Sequence, residues 1–118
     1  MGRKALSDLV FGKVYPLYLA KIERKGRTRE ELDAVIAWLT GYDEDAIARH
    51  TSAETSFREF FAAAPGHNPH RELITGSICG YRVEQIEDID SRHVRQLDKL
   101  VDELAKGRPL GKILRRPA

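Results

Sequence analysis

The clearest pattern in the chain lies between residues 28 and 42. Leu32, Val35, Ile36 and Leu39 recur at i, i+3, i+4 and i+7, the spacing of one helical face. Thr28 stands before them as an N-cap, and Glu31 three residues later completes a capping box. Trp38 and Tyr42 widen the stripe, and Gly41 offers a left-handed stop. Upstream, residues 14–22 are apolar or aromatic apart from Lys21, which predicts a helix from about Val14 to Lys25 with Pro16 in its first turn. A helix apolar nearly all round is a buried one. Tyr15, Leu17, Tyr18, Leu19 and Ile22 are therefore expected at the centre of the core, and each buried tyrosine hydroxyl needs a partner.

A short third helix is predicted after Asp43. A fourth begins at the capping box Ser56 and Glu59, with Phe57, Phe60 and Phe61 as its apolar face. Pro65 stops it, and Asn68–Pro69 supplies the cap and first residue of another short turn. Residues 77–83 fit a short β-hairpin, but a loop followed by a helical turn fits equally well. The last long helix is expected from Ser91 to Lys106, burying Val94, Leu97, Leu100, Val101 and Leu104, and Pro109 opens a final short one. The predicted fold is mainly α, a compact small helical bundle with a short β-hairpin near residues 77–83 as the open question.

The 118 residues suit a single domain over 1–118, with 1–12 as a loose N-terminal arm. Twenty basic and eighteen acidic side chains give a net charge of +2. Because the signs are interleaved, that balance is no nucleic-acid signature in itself. One cysteine, Cys79, cannot form an internal disulfide and completes no zinc pattern, which favours a reducing, cytoplasmic setting. No membrane span and no signal peptide are read.

Residues 26–47 have the outline of a DNA-reading helix-turn-helix: Ala37 before the turn, Gly41 in it, and Ile47 to pack back. Electrostatics argues against a reader. The second helix would present Asp43, Glu44 and Asp45 to phosphates, and DNA repels that end. The basic segments 21–29 and 106–116 are better nucleic-acid candidates, through Arg24, Lys25, Arg27, Lys112, Arg115 and Arg116, if the two meet in space. Without that meeting they are solvated ends.

Cys79, Arg82 and Glu84 form a weak candidate ligand or enzyme site, which needs a base and a pocket to work. A small buried thiol is the plainer reading of Cys79. His67 and His70 share a loop at a spacing that can bind metal, yet a zinc site needs more ligands, and a surface pair is expected. Glu84, Glu87, Asp88 and Asp90 lack the order of a calcium loop and read as negative charge leading into the last long helix. No catalytic residue, metal or cofactor is expected.

The motifs "KVYPLYLAKIERKGRT", "WLTGY", "NP", "CGYRVEQIED", "LDKLVDELAKG" and "KILR" occur in that order over about residues 13–115. Together they resemble the bacterial domain of unknown function 2200 family. The resemblance implies a small, mostly helical, stand-alone bacterial protein and carries no activity. Members often have a proline after "IED", where this chain has Ile89. The functional expectation is a cytoplasmic, non-catalytic binding or protein-interaction domain of unknown partner, with a homodimer as one open arrangement. Nucleic-acid binding by the basic segments and a small enzyme around Cys79 are the alternatives.

Overall fold

Phe11, Tyr15, Tyr18 and Ile22 lie at successive turns of α1 (Phe11–Glu23), and all four are buried in the computed structural model, which describes residues 5–116. The helix starts three residues before the expected Val14. Pro16 therefore stands in its interior, where the missing N–H leaves the Gly12 carbonyl without its usual donor. Leu17 is 67 % exposed and not central to the core, and Leu19 is only partly buried. The reason is angular: Leu17 is two residues from Tyr15, about 200° round the helix, so burying the tyrosine face turns it outward.

The first described residues are not loose. Leu6–Asp8 make a 3₁₀ turn with Ser7 buried. Phe11 N–H donates to Thr55 O at 2.9 Å and Phe57 N–H to Leu9 O at 2.9 Å, which ties this strand-like segment to the start of α4. Arg58 adds bonds to Ser7 and Asp8. The expected arm thus packs from residue 5 onward, because Phe11 needs the aromatic cluster of Phe57 and Phe60 beside it. Residues 1–4 of that arm lie outside the described residues.

α2 (Arg29–Thr40) has the Thr28–Glu31 capping box and buries Leu32, Val35, Ile36 and Leu39 as the pattern requires. Gly41 ends it at φ +79°, and the Gly66 backbone approaches so closely that a side chain at 41 would collide with it. α3 (Glu44–Ser52) is capped by Asp43, and α4 (Phe57–Ala62) by the Ser56–Glu59 box. Asn68 and Pro69 open a 3₁₀ turn through Leu73.

The hairpin forms. β1 (Ser77–Ile78) pairs antiparallel with β2 (Tyr81–Arg82), Ser77 opposite Arg82 and Ile78 opposite Tyr81. Cys79 and Gly80 both take positive φ, +51° and +84°, as a two-residue type I′ turn demands. α5 (Ile89–Ala105) begins two residues before the expected Ser91, because Asp88 caps it through Ser91 N–H at 2.9 Å. Ile89 is its first helical residue, the position at which proline also fits. α5 buries Val94, Leu97, Leu100, Val101 and Leu104, and with them Gln96 and Glu103. α6 (Leu110–Ile113) packs Ile113 back onto the same core. Among the described residues, no helix is long and apolar enough to cross a membrane.

α1 and α3 cross closely at Gly12, where a methyl group would run into the Thr51 carbonyl. Gly12→Ala is expected to lower stability by about 2 kcal/mol through overpacking. Urea unfolding followed by circular dichroism measures this, and an unchanged midpoint would contradict the crossing.

Candidate binding surfaces

Tyr18 and Tyr15 each find the hydroxyl partner that burial demands. Tyr18 donates to Asp98 of α5 and Tyr15 to Asp33 of α2, both at 2.5 Å, while Tyr42 donates to Phe60 O at 2.6 Å. Burial first, and then the neighbouring carboxylate, pushes the Tyr15 and Tyr18 phenols well above the ordinary tyrosine range, so both stay protonated. Asp98 also accepts from Arg95 at 3.1 Å, and the Arg95 guanidinium lies 5.4 Å from the ring centre of Tyr81. This chain fixes the hairpin against α1 and α5.

Between the hairpin and α1 lies a groove of about 250 Å³, with Val14, Leu17, Ile78 and Val101 as apolar walls and Tyr18, Lys21 and Asp98 as polar groups. Cys79 sits on its edge and is exposed, contrary to the expectation of a buried thiol, because the turn it occupies projects from the core. Tyr81 is 56 % exposed and borders a second hollow of about 260 Å³ with Leu6, Ile86 and Arg95.

The structure does not bring Cys79, Arg82 and Glu84 together in one cavity. Arg82 borders a different hollow, with Gly80 and Gln85. Glu84 accepts from Gly76 N–H at 2.9 Å and from Arg82 Nε at 2.8 Å, and these bonds hold its carboxyl down at about 2. Arg82 and Glu84 are thus the clasp of the hairpin. Asp88 caps α5, and Asp90 pairs with Arg58. Among the described residues, no cluster of three or more histidine, cysteine or acidic side chains is placed to hold a metal ion.

The two basic segments do meet. Arg27 Nη1 donates to Arg108 O at 2.7 Å and to Leu104 O at 3.3 Å, so the turn after α1 caps the C-terminal end of α5. Arg27 also grips Glu31 with two bonds. Arg115 does the same to the buried Glu103, 2.7 Å at its longer contact. Arg27 and Arg115 are therefore internal clamps, whereas Arg24, Lys25, Lys112 and Arg116 are exposed.

One cluster was not foreseen from sequence. His67 stacks on His93, ring centres 4.9 Å apart, and Phe61 lies against both. Gln96 and Arg71 join them, Gln96 Nε2 donating to Arg71 O at 3.3 Å. His67 is thus a packing residue, not half of a surface pair with His70. A single histidine or glutamine on an amphipathic helix carries no signal that would have revealed this grouping.

The sequence model of the domain of unknown function 2200 family, described as an uncharacterized protein conserved in bacteria, matches residues 5–115. The chain is also similar to a solved structure, the crystal structure of uncharacterized protein SP1917. The two share 41 % identity over 97 % of this chain and 93 % of the other, with a TM-score of 0.88. No curated protein matches.

Arg115→Ala would strand the buried Glu103 carboxylate, with only Arg108 at 3.7 Å to help. A loss of about 3 kcal/mol is expected in chemical denaturation. The exposed Arg116→Ala should change stability by less than about 0.5 kcal/mol.

Proposed function

The chain belongs to the bacterial domain of unknown function 2200 family, and we propose that it is a cytoplasmic, non-catalytic protein-interaction domain that binds through the hairpin groove. The carrying observation is the exposure of Leu17 at 67 % and Tyr81 at 56 % on the two elements that border apolar hollows. An exposed apolar patch rimmed by polar residues marks an interaction surface. Tyrosine is also a preferred anchor of such contacts. Of its polar groups, Tyr18 and Asp98 are bonded to each other and Lys21 pairs with Asp102, so the groove offers shape and apolar surface more than reactive groups.

Cys79, the chain's one thiol, gives a single-site probe. A benzophenone attached there is expected to capture a discrete adduct in bacterial cells, lost in Leu17→Glu and kept in Arg116→Ala. Adducts indifferent to Leu17→Glu would overturn the reading. If the adduct is a second copy of the chain, light scattering should show a dimer that the same substitution dissociates.

A second reading has its own observation, the Arg27–Arg108 contact that joins the two basic segments. The exposed Arg24, Lys25, Lys112 and Arg116 then form one end of the molecule and suit the phosphates of nucleic acid. Four such contacts give a slope of about −3.6 in log affinity against log salt on duplex DNA. The absence of binding at low salt would sink this reading. The enzyme reading around Cys79, Arg82 and Glu84 has less support, since the guanidinium and carboxylate are occupied in holding the hairpin.

A further inference from the structure

We propose that residues 66–73 form an acid-released latch, closed over the N-terminal half of α5 by the His67–His93 stack. The segment is held at defined points. Gly66 N–H donates to Thr40 O at 3.0 Å, Asn68 N–H to Leu39 O at 3.2 Å, and His67 Nε2 meets Phe61 O at 2.7 Å. Ile74, fully buried, anchors its far end.

Under the latch, polar atoms are buried without a protein partner: His67 Nδ1, both ring nitrogens of His93, Arg71 Nη1 and Gln96 Oε1. Each such atom weakens the closed state relative to an open one in which water can reach it. What closes it is stacking and burial, and burial disfavours a charge on the His93 ring. A proton on His93 would sit 4.9 Å from the His67 ring and near the permanent charge of Arg71.

The charges facing His93 come from three elements. His67, from the segment after α4, and Arg71, from the 3₁₀ turn, oppose its protonation. Glu72 from that turn and Asp90 from α5 favour it. Both carboxylates are engaged elsewhere, Glu72 with Arg71 and Arg92, Asp90 with Arg58. Burial first, then Arg71 and His67, outweigh the two carboxylates, and the imidazole is pushed down to about 4 from its ordinary 6.5. The closed form thus binds fewer protons than the open one. Its advantage is complete above pH 6.5 and is lost as pH falls towards 4. Between pH 8 and pH 5 the opening constant rises about 30-fold on this basis.

Amide hydrogen exchange tests the proposal. The protection factors of Asn68, Arg71 and Ile74 should fall about 30-fold from pH 8 to pH 5 and lie below that of Ile36 in α2 at both pH values. Ile36 reports global opening, which frees His93 and also His50, itself pushed down by burial and by Arg49, so its protection falls at least as steeply and only the gap between the two marks a local opening. In His93→Phe, which keeps a ring in the stack, protection of the three latch amides should fall less than threefold over the same range. Latch protection equal to that of Ile36, latch protection independent of pH, or an unchanged pH effect in His93→Phe, would overturn the latch. Should that variant fail to fold, NMR titration of the wild-type His93 ring still decides. A midpoint below about 5 supports the latch, and one near 6.5 refutes it.

Discussion

The burial of one face of α1 is the constraint on which the rest of the structure depends. Phe11, Tyr15, Tyr18 and Ile22 are covered by α2, α3 and α5, so α1 cannot rotate without exposing a ring. Two tyrosine hydroxyls convert that apolar preference into a fixed rotation. One reaches Asp33 on α2 and the other Asp98 on α5, each a hydrogen bond to a charged acceptor at the edge of the core. Asp98 then orients Arg95, and Arg95 lies against Tyr81. The hairpin and its groove are thus held at the end of a chain of contacts that starts inside α1. The face left outward carries Leu17, and that choice creates the exposed surface.

Charge is used in two ways. Where a cation reaches a buried or helix-terminal acceptor it works as a fastener. Arg27 closes the end of α5, Arg115 neutralises Glu103, and Arg58 pins the first described residues to α4. A buried ion pair of this kind adds little net stability over an apolar pair, but losing one partner is costly. Arg24, Lys25, Lys112 and Arg116 at the same end face water, where exposed charge contributes chiefly to encounter with anions. Arg115 and Arg116 show that neighbouring arginines in one tail can belong to different categories.

The elements were legible where local rules suffice. Thr28–Glu31, Ser56–Glu59 and Asn68–Pro69 are short-range devices, each fully written within four residues, and each appears as read. The core face of α5 followed from spacing alone. The hairpin stayed open because four residues of strand are too few to establish alternation, and a cysteine at φ +51° is not a residue from which that turn is inferred. Leu17 was misplaced because a segment apolar on every side does not state which side is covered. The candidate site was partly legible: Cys79 and Arg82 were singled out from the hairpin region, but the groove belongs to Leu17, Tyr18 and Asp98.

The sequence by itself determined the helices, their caps, the glycine stops and the family. All of these rest on interactions between residues a turn or less apart, or on similarity along the chain. Only the tertiary structure decided which face of α1 is exposed and which arginines are free, and it alone brought His67, Arg71, His93 and Gln96 together. Those outcomes depend on contacts between residues 12 to 81 positions apart, as in Arg115 with Glu103 and Arg27 with Arg108. Such contacts are selected by packing the whole core at once, and no local pattern encodes them.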